Sequence, residues 1–110
     1  MSNFDLTAVK NEIALLATTN VPEHPGGATQ DGDTLLESAQ DRLQKYSDQL
    51  ARKEIDRDQL EDDLSQDLLG LATMDKLKEA GLSEIRISAF TEGVVRILIR
   101  AAVVAAIGAI

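Results

Sequence analysis

The chain has 110 residues, a net charge of −8, 44% apolar side chains with only 3% aromatic, and neither cysteine nor tryptophan. That length makes one domain; the missing cysteines exclude a disulfide framework and a thiolate metal site, and the acidic balance argues against direct binding to nucleic acid, which needs clustered Lys and Arg. Apolar content drawn mostly from Ala, Leu, Ile and Val favours helix packed on helix, so the expected fold is mostly α.

The opening residues carry Asp5 and Glu12 and lack the basic segment and apolar run of a secretory signal, so synthesis in the cytoplasm is expected, with the final location open. From Asn3 to Thr18, Phe4, Leu6, Val9, Ile13, Leu16 and Ala17 recur at spacings of three and four, one face of a short amphipathic helix. Residues 1–18 then either pack on the body or form an arm that reaches a neighbouring subunit.

Thr19 to Asp33 holds Pro22, Pro25, Gly26, Gly27 and Gly32. The prolines bias Val21 and His24 away from the helical region and the glycines permit positive φ, so residues 19–33 read as a loop. His24 has no further ligand or nucleophile at fixed spacing and reads as an exposed turn residue. Gly26-Gly27 lacks the Lys-Ser or Lys-Thr of a phosphate loop.

Asp33 or Thr34, with Glu37 three residues beyond Thr34, is spaced to cap a long acidic helix within residues 34–82. Leu36, Leu43, Leu50, Arg57, Leu64 and Leu71 form one seven-residue series, and Ala39, Tyr46, Lys53, Leu60, Asp67 and Met74 a second, three residues on. Lys53 and Arg57 interrupt this seam. They read either as a polar break that sets coiled-coil register or as the exposed centre of an amphipathic helix, the latter favoured because no seam runs unbroken for three to four heptads. Asp41 with Lys45, Asp48 with Arg52 and Arg57 with Glu61 are spaced to pair on the outer face. Glu61, Asp62, Asp63 and Asp67 lack the alternating ligands and central glycine of a calcium loop and read as a solvated acidic face. Gly70 is expected to mark a bend. Thr73 to Ala80 reads as a short helix with Met74, Leu77 and Ala80 inward, Gly81 as its left-handed cap and Leu82 folded back.

Residues 83–110 form the apolar C-terminal segment. Ile85, Ile87 and Ala89 alternate with polar residues, and Val95, Ile97 and Ile99 alternate with Arg96, Leu98 and Arg100, a pattern that allows an α+β alternative with a hairpin at 84–100. Against it, Glu92, Arg96 and Arg100 recur every four residues along one face, Thr91 can cap, and Ala101, Ala102, Ala105 and Ala106 favour helix. Helix is expected from about Glu92 onward, with 84–90 open. Arg96 and Arg100 are expected to pair with Glu92 or with the preceding acidic helix. The uncharged run from Ala101 to Ile110 would rise only about 15 Å as a helix, half a bilayer's hydrocarbon.

No catalytic, cofactor-binding or metal motif stands out, and no small-molecule substrate is evident. The apolar residues of the last segment, Val94, Val95, Ile97, Leu98, Ile99, Val103, Val104, Ile107 and Ile110, must be buried against a partner, a lipid or the chain itself. The expectation is a non-enzymatic structural subunit of a self-associating assembly (a filament, secretion apparatus or virion component), a homo-oligomer packed through its C-terminal helix. The alternatives are a tail-anchored membrane protein with an acidic cytoplasmic helix and an acidic regulator of a basic partner.

Overall fold

The computed structural model describes residues 4–109. Five helices follow in order: α1 (Leu6–Asn20), α2 (Pro25–Ala51), α3 (Arg57–Leu71), α4 (Asp75–Glu79) and α5 (Glu84–Ala109). The fold is mostly α, and among the described residues there is no strand. The four long helices alternate in direction, and α5 packs on α1, α2 and α3, while α4 lies on α2. The 27 residues of α2 rise about 40 Å and set the long dimension of 43 Å.

Asp5 caps α1 by accepting the Ala8 N–H at 3.0 Å, and Val9, Ile13 and Ala17 form its buried stripe, as the periodicity predicts. The 19–33 loop is much shorter than expected. Helix α1 runs on to Asn20, only 21–24 are non-helical, and α2 starts at Pro25. Val21 and His24 do avoid helical backbone, as residues before proline should. Pro25 then occupies the first helical position, where its missing N–H costs nothing. The glycines that follow are helical because tertiary packing overrides their weak propensity: Ala28, Asp31, Gly32, Leu35 and Leu36 form a buried stripe at helical spacing. At Gly32 the reason is steric, since a Cβ there would collide with Cγ2 of buried Ile13. Thr34, expected as a cap, lies inside α2 and donates its hydroxyl to Gln30 O at 2.9 Å.

The expected long acidic helix is a helical hairpin. Lys53 and Arg57 neither set register nor sit mid-helix. Lys53, at φ 61°, is the left-handed residue that ends α2, with its N–H on Leu50 O (3.0 Å) and the Glu54 N–H on Gln49 O (2.8 Å). This is the Schellman arrangement, built on Lys instead of glycine. Asp56 then starts α3 by accepting the Gln59 N–H at 2.8 Å, and Arg57 is the first helical residue. Gly70 lies in the last turn of α3 with no bend. Leu60, Leu64 and Leu68 bury against α2 and α5.

Helix α4 has an N-terminus its own sequence cannot cap: Met74 is left-handed (φ 52°) and its side chain is apolar. Buried Asp31, from α2, does it instead, accepting the Lys76 N–H at 3.1 Å and the Leu77 N–H at 2.9 Å, the donors a local cap would satisfy. The exit matches expectation. Gly81 is left-handed (φ 79°), and Leu82 N–H reaches Leu77 O at 3.2 Å.

Residues 84–90, and the hairpin alternative at 84–100, resolve as one continuous helix. Ser83 caps it by accepting the Arg86 N–H at 3.3 Å, not Thr91, whose hydroxyl bonds Ile87 O at 2.7 Å inside the helix. Phe90, Val94 and Leu98 are fully buried while Glu92, Arg96 and Arg100 are exposed; a strand would set all six on one face, so the burial follows the period of a helix.

Candidate functional site

The apolar C-terminal residues divide by side. Val94, Val95, Ile97, Leu98 and Val103 are buried in the chain's own core, with Ile99 half-buried against it. Val104 and Ile107 stay 60% and 64% exposed on the opposite side, and Ile110 lies outside the described residues. Packing inside the chain therefore satisfies most of the residues that the sequence offered for assembly, and leaves two.

Val104 belongs to a surface shared with α1, and Ile107 lies one turn beyond it on α5. The helices run antiparallel, so the start of α1 meets the last turns of α5. The tip of Leu16 rests against Gly93, where a Cβ would sit 2.7 Å from its Cδ2. Two shallow grooves follow the seam. One, of about 180 Å³, is walled by Phe4, Ala8, Ala101 and Val104; the next, of about 280 Å³, by Leu15, Leu16 and Ile97. Between them Arg100 donates to Glu12, and both residues line both grooves. Arg100 therefore pairs across to α1, not with Glu92 or the acidic helix as expected. Arg96 does lie one turn from Glu92, at 3.9 Å and fully in solvent, where such a pair contributes little. Leu15, 69% exposed, is part of this surface and was not predictable from its own position, since neighbouring Leu16 carries the inward spacing.

A wider cleft, of about 480 Å³, lies between α3 and α5. Arg57, Arg96 and Arg100 line it over Ile99 and Val103, with Glu61, Asp62 and Ser65 opposite. Arg57 is held by Glu61 at 3.1 Å, as its spacing predicts; Asp48 instead accepts from Gln44 at 2.8 Å, and Arg52 turns to Glu54 at 2.9 Å. Each arginine of the cleft already faces a carboxylate, which leaves no unbalanced cation to hold an anionic ligand.

Across the hairpin the Tyr46 hydroxyl donates to Asp67 at 3.0 Å; burial first, then that bond, raises the phenol above its usual value. Beside the seam, Asp33 Oδ1 is buried without a partner, and burial raises its carboxyl despite the nearby Lys10. At the far end Arg86 holds Glu23 and the Asn20 carbonyl; that hydrogen bond keeps Glu23 below its usual range. Exposed His24 makes no side-chain cap to α2. Among the described residues, no three His, Cys, Asp or Glu side chains are grouped to hold a metal ion, and no helix is long and apolar enough to cross a membrane. Comparison with protein-family models, with curated proteins and with solved structures finds no match.

Proposed function

We propose that this chain is a non-enzymatic structural subunit of a self-associating assembly, and that its contact surface is the α1–α5 side. One observation carries the reading: of the five large aliphatic residues exposed among those described, Leu15 and Val104 line the α1–α5 grooves and Ile107 follows one turn beyond Val104, while Leu69 and Ile85 lie apart. Grouped aliphatic side chains along a groove gain by being covered, each by roughly 1.5–3 kcal/mol when burial is complete. The same surface offers shape and apolar contact, which supports association.

A tail-anchored role fits less well, because inserting α5 in lipid would strip Leu98, Ala102 and Val103 from the core. The acidic-regulator reading keeps one specific support. Residues 31–79 carry fourteen acidic and seven basic side chains, a surface suited to a basic partner.

Sedimentation of the purified chain over a wide concentration range, with and without detergent or liposomes, tests the proposal. Association that needs no lipid is the expected outcome. A monomer at every concentration in plain buffer defeats it.

A further inference from the structure

We infer that the partner at this surface is a second copy of the chain, and that the two copies close into a two-fold dimer with their α1–α5 grooves face to face. This rests on the assembly reading above, and adds the occupant and the symmetry.

The distribution of charge identifies the occupant. Of the nineteen acidic and eleven basic side chains, residues 31–79 hold fourteen and seven; the rest of the chain, essentially α1 and α5, holds five and four. Two copies that approach through α2, α3 and α4 bring like charge together, whereas approach through α1 and α5 brings together nearly neutral surfaces. A basic protein is drawn to the acidic side instead, and an anionic lipid surface is repelled by the net charge of −8.

The arrangement within the groove also suits a copy. Glu12 and Arg100 stand side by side at its middle, with apolar walls on either hand carrying Leu15 to one end and Val104 to the other. A two-fold axis through that pair sets each Leu15 toward the partner copy's Val104 end and each carboxylate near a second guanidinium. Such a contact is isologous: it uses the same patch on both copies and closes at two. On the acidic back, among the described residues of α2, α3 and α4, Leu69 is the one exposed large aliphatic side chain, too little apolar surface for a third copy to continue from.

The size of the face sets the strength. Two helices side by side, each about 10 Å across, over the roughly 22 Å of α1 present about 450 Å² in projection, at the low end for specific contacts. The dimer is therefore weak and concentration-dependent.

Sedimentation equilibrium on the full chain tests this, with circular dichroism on every variant. The parent should pass from monomer to dimer with no larger species, and added NaCl should leave the dimer unchanged or tighten it. Leu15→Glu and Val104→Glu, at positions already open to solvent, should each stay helical and weaken the dimer at least tenfold. Ile85→Glu, as exposed but at the other end of α5, should leave it unchanged. An association that ignores both groove variants overturns this surface while leaving the assembly reading intact, and growth beyond two copies overturns the symmetry. A strictly monomeric parent removes both. Pelleting with uncharged phosphatidylcholine vesicles that Val104→Glu abolishes would make lipid the occupant and overturn the dimer.

Discussion

The α1–α5 pair and the α2–α3 hairpin are both antiparallel helix pairs, yet they are held by different means. The first is joined by distant parts of the chain and depends on fit: Gly93 admits Leu16, Gly32 of neighbouring α2 admits Ile13, and one ion pair, Glu12 with Arg100, bridges it. The second is local in sequence and depends on its turn, with Lys53 in the left-handed region and Asp56 as the new cap. It carries much of the acidic charge on its outer face, whereas the first carries most of the exposed aliphatic surface. In this chain the part that folds locally carries the charge, and the part that requires the whole chain bears the candidate contact.

The sharpest way to break the comparison is to end the chain after Arg100. That removes buried Ala102, Val103, Ala105 and Ala106 from the core. Val103 alone contributes about 1.5–3 kcal/mol, so the total is a large share of the 5–15 kcal/mol typical of a domain. The truncated chain should lose its cooperative thermal transition by circular dichroism; an unchanged melt would show that these turns are no part of the core.

Next comes Gly32→Ala. Buried Ile13 has nowhere to move, so overpacking of about 1–3 kcal/mol outweighs the gain of up to about 1 kcal/mol from better helix propensity. Urea unfolding should show a net loss of about 1–2 kcal/mol. Gly70→Ala, which meets open space on α3, should instead gain up to about 1 kcal/mol. Equal effects at the two sites would remove the distinction between a fitted seam and a free surface.

A smaller effect is expected at the hairpin turn. Lys53→Gly relieves a left-handed cost of about 1–2 kcal/mol but adds about 0.4–1 kcal/mol of unfolded-chain entropy, so about 0.5 kcal/mol should be gained. Lys53→Leu should gain nothing, because no heptad seam passes through this position.

The smallest concerns pH. Burial holds the Asp33 carboxyl above its ordinary value, so the ionised form is disfavoured in the folded chain. Its contribution to stability is lost as pH rises through the folded value and is complete below the unfolded one, near 4. Asp33→Asn should therefore melt slightly above the parent at pH 7, and the gap should close toward pH 4. A gap that does not change with pH would mean that ionisation of Asp33 is not what costs stability.

What could be read from the residues was set by how local its cause is. The inner stripe of α1, the Gly81–Leu82 exit of α4 and the helical phase of α5 after Glu92 are all written in neighbouring side chains. The turn at 52–56 was hidden because Leu50 and Leu64 lie fourteen residues apart, so a seven-residue seam runs numerically through a place where the chain reverses. Asp56 followed by Gln59 was the available signal, a weak one. Helix at 25–33 starts at a proline suited to its first position but runs against its glycines, since its reason is contact with Ile13. Within α5 the apolar residues were legible as a set, but not which of them face out: Val103 and Val104 are adjacent and chemically identical, and only the placement of the other helices tells them apart.

Helix α5 is synthesised after all three helices that it holds. Until it is made, the faces of α1, α2 and α3 on which it packs have no final cover, while the α2–α3 hairpin can form early through local contacts. A nascent chain of this kind spends its time on the ribosome as a part-built bundle with an open apolar trough. Chaperones and proteases reach that trough first, and cellular yield should depend on how quickly the final helix emerges and closes it.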